Sequence, residues 1–333
     1  MMRRCGRRAN ETMKQRALGI DLTNRQTKKR VFLMEMDQVV PWTELLSLIL
    51  PFSPVAKTGR PPFPIETMLR IHFLQQWYGL SDVAMEEALF DVPVYREFAV
   101  LGGMSRIPDR VSILRFRHLL EANDLAENIL ATVNAHLAAK GYTLREGTAV
   151  DATLIAAPSS TKNSTGSRDP QMKQTKKGNN YYFGLKAHIG VDAETGLVHT
   201  VIATPANVHD VTQAHALLHG NETEVFADAG YQGVGKREEN RDTPVTWHVA
   251  MRPGKRRKLD KTTASGKRLD QIEHFKASIR AKVEHPFRVI KLQFGHTKTR
   301  YKGLAKNAAQ LLTLFALGNL WMCRKQILQG AVA

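Results

Sequence analysis

The chain is poor in cysteine, in long apolar runs and in acidic residues, and each shortage excludes a class of protein. Cysteine occurs twice in 333 residues, as Cys5 and Cys323 near opposite ends. With no CxxC pair there is no disulfide scaffold and no thiolate metal site, and such sparse usage fits a reducing cytosol. The longest apolar run, LLTLFALGNLWM at 311–322, falls well short of the roughly 20 residues a bilayer span needs. It reads as a buried helix, and no membrane partner is expected. The N-terminal stretch MMRRCGRRANETMKQR lacks the apolar core of a signal peptide. No internal repeat is visible.

Acids number 31 against 48 Lys+Arg, a formal charge of +17. Such a surplus costs self-repulsion in the compact state unless a polyanion offsets it. Nucleic acid is the expected partner, with solubility alone as the alternative. What remains is ordinary for a globular protein: 43% hydrophobic and 24% charged residues. The length suits about two domains and a core that needs no covalent staple.

Residues 1–30 hold ten Lys/Arg and two acids. With no apolar periodicity, they read either as a mobile basic arm that orders on phosphate or as a solvated tail. From 31 to 144 the pattern is helical. Pro61-Pro62-Phe63-Pro64 precedes Ile65, Met68, Leu69, Ile71, His72, Phe73 and Trp77 at helical intervals, and Gly79 ends that helix. Ser81-Asp82 caps a second helix and Asp91-Val92-Pro93 ends it. A short third helix follows, then Asp109 caps RVSILRFRHLLE, with Arg110, Arg115 and Arg117 off its apolar stripe. This succession suits a helix-turn-helix or any small helical bundle. A helical DNA-binding domain is expected here.

After Gly141 the period changes to two. Thr148–Ile155, Gly184–Val191, Leu197–Thr204, Glu224–Asp228 and Pro244–Ala250 read as strands, and Asp192–Gly196 as a hairpin loop. Helices are expected at Asp210–Leu218, Gly233–Glu239, Leu269–Leu292 and Leu304–Gln329. Asn207 or Asp210 would cap the first of these; otherwise His209 and Asp210 back the site described next. Ser159–Asn180 and the insertion near 252–268 read as exposed basic loops, and 326–333 as a tail. The class is α/β, a mixed sheet flanked by helices, over about 145–325.

Three acids stand where acids are costly. Asp151 interrupts Ala149-Val150-Asp151-Ala152, Asp228 ends Val225-Phe226-Ala227-Asp228, and Glu284 lies in a helix beside Arg280 and ahead of Lys291. A single strand aspartate is ordinarily a capped or salt-bridged structural acid. Two strand-end carboxylates plus a helix carboxylate, on a basic chain, make instead a hard oxygen site suited to Mg²⁺ or Mn²⁺. Arg280 and Lys291, one and two turns from Glu284, would share its face. They read as phosphate holders or as an ordinary salt-bridged face. Pro286 should kink the helix just past Glu284. Lys162, Lys176 and Lys177 in the first basic loop, and Lys255, Arg256 and Arg257 in the second, are candidate contacts to DNA backbone.

Val150 to Asn163 (VDATLIAAPSSTKN) resembles the first-aspartate block of bacterial insertion-sequence transposases, and Asp228-Ala229-Gly230-Tyr231-Gln232-Gly233 their second. Arg280, Glu284 and Lys291 match the third block, and Pro108-Asp109-Arg110, Arg115 to Glu121 and Thr175 to Asn179 are also similar. The likeness spans roughly 31 to 320 and is close to the insertion-sequence-five family of DDE transposases. It implies an RNase H-like catalytic domain, with Asp151, Asp228 and Glu284 as a triad holding two Mg²⁺ ions, Mn²⁺ being able to substitute. It further implies cleavage and transfer of double-stranded DNA, both inverted repeats and target. Assembly as a homodimer or higher on DNA, and a cytoplasmic, nucleoid-associated site of action, go with it. A plain nuclease of the same fold and a silent DNA-binding repressor are the rival readings. One departure is Ala277, where the pattern has a tyrosine three residues before the arginine; an aromatic contact to end phosphates is missing or supplied from elsewhere.

Overall fold

Among the described residues, seven α-helices occupy the N-terminal part: α1 (Lys28–Val39), α2 (Trp42–Ile49), α3 (Ile65–Tyr78), α4 (Asp82–Asp91), α5 (Pro93–Phe98), α6 (Arg110–Ala122) and α7 (Leu125–Ala139). Their ends follow local chemistry. The Ser81 hydroxyl accepts the Ala84 N–H and the Asp109 carboxylate the Ser112 N–H, each satisfying a donor the first helical turn leaves open. Gly79 ends α3 in the left-handed region at φ +66°. The computed structural model describes residues 26–54, 59–102, 106–142, 147–241 and 243–330, so most of the basic arm expected at 1–30 lies outside the described residues. Lys28, Lys29 and Arg30 are not arm but the first turn of α1, capped by Thr27.

Among the described residues six strands form one sheet: β1 (Gly147–Ala156), β2 (Lys173–Lys177), β3 (Asn180–Asp192), β4 (Val198–Pro205), β5 (Glu224–Ala227) and β6 (Thr246–Val249). β1, β3 and β4 make an antiparallel meander, and β5 then β6 add in parallel on the far side of β1. This is the expected RNase H-like arrangement, with β2 extending the β3 edge. Gly196 closes the β3–β4 loop at φ +75°.

One core runs through both parts. Ala149, Leu185, Ile189 and Phe226 from the sheet join Leu33, Leu74, Ile129 and Val133 from the N-terminal helices through Leu314, Phe315 and Leu317 of α11 (Leu304–Gly330). The apolar run 311–322 is thus a buried helix, and no helix among the described residues is long and apolar enough to cross a membrane. Asn319, fully buried in α11, accepts the Val198 N–H and donates to the Val198 carbonyl, binding the helix to the edge of β4. Buried amides persist only where paired in this way. Residues 326–330, expected as tail, continue α11, with Ile327 in the core.

Several expectations are corrected. Asp210–Leu218 is two 3₁₀ turns, Asp210–Gln213 and His215–Leu217. Thr212 donates both its N–H and its hydroxyl to the His209 carbonyl, which favours closure at i+3. No side chain caps the first turn, so neither Asn207 nor Asp210 plays that part. Gly233–Glu239 likewise yields 3₁₀ turns, split by extended Arg237. The 252–268 insertion is not a plain loop: it holds α8 (Pro253–Arg257) and the start of α9 (Ala264–Arg280), which the Thr263 hydroxyl caps. Polar residues hid that start because α9 buries little along its length. The segment expected as one helix over Leu269–Leu292 breaks after α9. A 3₁₀ turn (Ala281–Val283) leads to α10 (Glu284–Arg288) and a π turn (Val289–Gln293). The irregularity at Pro286 therefore falls on both sides of Glu284. Proline offers no N–H to the preceding turn and its ring crowds the carbonyl four residues back. Arg117, placed off the apolar stripe of α6, is buried and paired with Asp82 at 2.8 Å and Glu121 at 3.2 Å.

Candidate active site

Parallel pairing of β1 with β5 aligns Val150 with Ala227. Asp228, one residue past the end of β5, therefore lies beside Asp151, which is not the strand-end acid expected but sits midway along β1, paired with Ile189 of β3. Side chains alternate across a strand. Ala149 and Phe226 face the main core while Val150, Val225 and Ala227 face a second cluster with Tyr231 and Val234. The two aspartates share the side of Ala149 and Phe226, which α9 covers.

Glu284 opens α10 across this face. Burial pushes the Asp151 carboxyl up to about 7, and the charges of Asp228 and Glu284 push the same way. The Ala152 N–H bond to its Oδ1 and the Arg280 guanidinium oppose them. Asp228, Glu284 and Arg280 thus all lie within electrostatic reach of Asp151. Asp228 also accepts the Gly230 N–H at 2.8 Å, fixing its carboxylate at the strand end. Three carboxylates whose neighbours raise the proton affinity of the central one are a donor set that a divalent cation would relieve, and their hard oxygens suit Mg²⁺ or Mn²⁺.

Lys291 approaches from the other side. The π turn carries its ammonium to β1, where it donates to Thr153 Oγ1 at 2.6 Å and to the Leu154 carbonyl at 3.1 Å. Thr153 lies two residues beyond Asp151, on the same face. Burial depresses the Lys291 pKa, Lys177 depresses it further, and Glu284 opposes. Lys177, on β2, is therefore within electrostatic reach of Lys291. The segment read as a loop from Ser159 to Asn180 contains a polar strand there, paired with β3 from Lys173↔Gly184 to Lys177↔Asn180. Its alternation was invisible because both faces are polar. Lys176 and Lys177 stand exposed on this hairpin, Lys176 5.6 Å from the Tyr181 ring, and Lys162 is exposed in the preceding loop.

α8 and α9 border the other flank. A groove of about 390 Å³ is lined by Arg256, Arg257, Lys261, Ala277 and Arg280, with Glu273 as its acid. Ala277 opens space where the resembling family has tyrosine. Lys255 and Arg257 are exposed, whereas Arg256 is drawn to Asp270 at 3.0 Å.

Sequence reasoning did not single out Tyr231, Lys186 or His188. Tyr231 is fully buried and its hydroxyl has no hydrogen-bond partner among the described residues. Burial raises its pKa, as do the charges of Asp151, Asp210 and Asp228. Asp210 pairs with Lys186 at 2.9 Å and lies 3.7 Å from His188, an acid-base group behind Asp151 and Asp228. The only available signal was an unbroken Asp-Ala-Gly-Tyr block and a His-Asp pair.

A family model described as "Transposase DDE domain" matches residues 142–320, and one described as "Transposase domain (DUF772)" matches residues 20–119. Among solved structures, the "Cryo-EM structure of piggyBac transposase synaptic complex with hairpin DNA (SNHP)" superposes with a TM-score of 0.46 at 9% identity, covering 91% of this chain and 76% of that one. Matched over more than half its length by the first model and over its helical part by the second, the chain belongs to the DDE transposase family.

Proposed function

We propose that this transposase, of the insertion-sequence-five type, binds the inverted-repeat ends of its own element and carries out metal-dependent strand cleavage and strand transfer. The observation behind this reading is the strand register that sets Asp151 beside Asp228, with Glu284 and Arg280 in electrostatic reach of Asp151. Asp151, Asp228 and Glu284 would hold the metal. Two Mg²⁺ ions, or Mn²⁺ in their place, supply charge stabilisation of the attacking and leaving oxygens in an in-line phosphoryl displacement.

The chain's own part is positioning and electrostatics. The Gly230 N–H orients Asp228, and the Thr153 and Leu154 oxygens orient Lys291 beside the reacting phosphate. Arg280 offers a guanidinium from the end of α9. Lys162, Lys176 and Lys177 on one side, and Lys255, Arg256 and Arg257 on the other, would track the DNA backbone, with Arg256 also anchored to Asp270. The helical part from 31 to 144 would bind the ends. The working complex is a homodimer or larger assembly on DNA, acting at the nucleoid in the cytoplasm.

The test is cleavage and joining of DNA bearing the element's ends, with Mg²⁺, by wild type and Asp151→Asn. Joined strands from wild type alone support the proposal. Nicks without joining would point to the nuclease, and binding without Mg²⁺-dependent cleavage to the repressor.

A further inference from the structure

A second group of metal-ligating side chains lies on the opposite face of the sheet. His199 of β4, His219 and Glu222 offer ligand atoms that all fall within 4.8 Å of one another. They gather around Thr148 of β1, whose side chain points away from the face carrying Asp151. Thr148 Oγ1 donates to Glu222 Oε1 at 3.2 Å and sits 3.2 Å from His199 Nε2. His219 Nε2 is 3.4 Å from the same carboxylate oxygen.

The surroundings are built for this cluster. The register of β4 slips between Gly190 and Val191, at His199; a bulge of this kind re-aims a side chain. Gly190 clears the path: a Cβ there would run into the His199 ring and the Leu217 carbonyl. The imidazole therefore lies across β3 to reach β1. Thr200 Oγ1, 2.9 Å from His199 Nδ1, holds the ring by its other nitrogen and leaves Nε2 facing the cluster. The N–H groups of His219 and Gly220 fix both oxygens of Glu222. The Glu222 side chain is fully buried and both imidazoles are partly so.

We propose that His199, His219 and Glu222 form a structural Zn²⁺ site, independent of the Asp151 cluster, that ties the β4 bulge to the turn leading into β5. Two imidazoles and one carboxylate are a borderline-soft donor set that suits Zn²⁺ better than Mg²⁺. A tetrahedral ion with bonds of about 2.0–2.1 Å holds its ligands about 3.3 Å apart. His219 and Glu222 already stand at that spacing, so closing on the ion requires mainly a small turn of His199.

The test uses the full chain carrying Asp151→Asn, Asp228→Asn and Glu284→Gln, so that the acid cluster takes up no metal. Stripped of metal, it is titrated with Zn²⁺ and with Co²⁺. The expected result is one equivalent bound, the visible absorption bands of Co²⁺ held four-coordinate by the three side chains and one water, and a melting temperature raised by about 4 °C at 100-fold excess over Kd. His199→Gln and His219→Gln, each made in this background, should each weaken binding at least tenfold and abolish the Co²⁺ bands. Their metal-free circular dichroism should match that of the metal-free parent. His219 sits in a turn, so its variant remains informative if His199→Gln fails to fold. No stoichiometric binding, or binding that survives His219→Gln, would overturn the proposal and leave a hydrogen-bonded His–Glu brace.

Discussion

Lys291 is where the structure demands most of a single side chain. Its ammonium donates to Thr153 Oγ1 and to the Leu154 carbonyl while half-buried beside Asp151. Lys291→Met keeps the apolar stem and removes both bonds. A hydrogen bond from a charged donor is worth about 1.5–3 kcal/mol. Against two of these stands the recovered cost of burying the ammonium, which the depressed pKa of Lys291 records. The net expectation is a loss of about 2–3 kcal/mol, a fall in Tm of about 3–4 °C for a chain of this size. Thr153→Val keeps the shape, removes one acceptor and should cost about 1 kcal/mol. In the double variant the Thr153 loss should largely disappear, a coupling of about 1 kcal/mol where independent sites add within about 0.3–0.5 kcal/mol. Thermal melts of the four proteins give the cycle, and cleavage rates per folded molecule on end-bearing DNA give the functional half. Lys291→Met should be slow in cleavage even after correction for folded fraction. An unchanged Tm with additive effects would refute the anchoring to β1. A lowered Tm with normal cleavage per folded molecule would refute the role beside the phosphate.

In chelator, the pH dependence of stability should differ between wild type and Asp151→Asn. Asp151 is raised from 3.8 to about 7, so the folded state keeps a proton that the unfolded chain has released. Stability is fully present below about pH 4 and falls as pH rises to 7, by at most about 4 kcal/mol, and Asp151→Asn should lack this loss. Melts from pH 4 to 8 check it, and a constant difference between the two proteins would sink it. Arg117→Met leaves Asp82 and Glu121 without their buried partner and should cost about 3–5 kcal/mol in urea denaturation. Neutralising Lys255 and Arg257 together should flatten the log–log salt dependence of DNA binding by about 1.8; an unchanged slope would mean α8 is only solvated surface.

What the sequence by itself determined is local. The caps at Ser81 and Asp109, the end of α3 at Gly79 and the Gly196 hairpin depend on contacts within a few residues, and each stands where the sequence placed it. The period change after Gly141 likewise separated helices from sheet. The order of the three acids named a candidate site because Asp151 and Asp228 sat in apolar stretches that disfavour charge and Glu284 in a helix bracketed by cations. Only the tertiary structure decided what depends on distant partners. Parallel pairing of β1 with β5 brings Asp151 beside Asp228 across 77 positions of sequence. β2 is a strand because β3 offers it a ladder, although its own side chains are polar on both faces. Arg117 is buried because Asp82 and Glu121 wait for it, and Lys291 reaches Thr153 and Leu154 of β1 because a π turn carries it there. The group of His199, His219 and Glu222 has no spacing to betray it: a bulge, a turn and a glycine on a third strand make it. Side-chain periodicity and capping are written residue by residue, whereas register, burial and charge pairing exist only once the strands have found their neighbours.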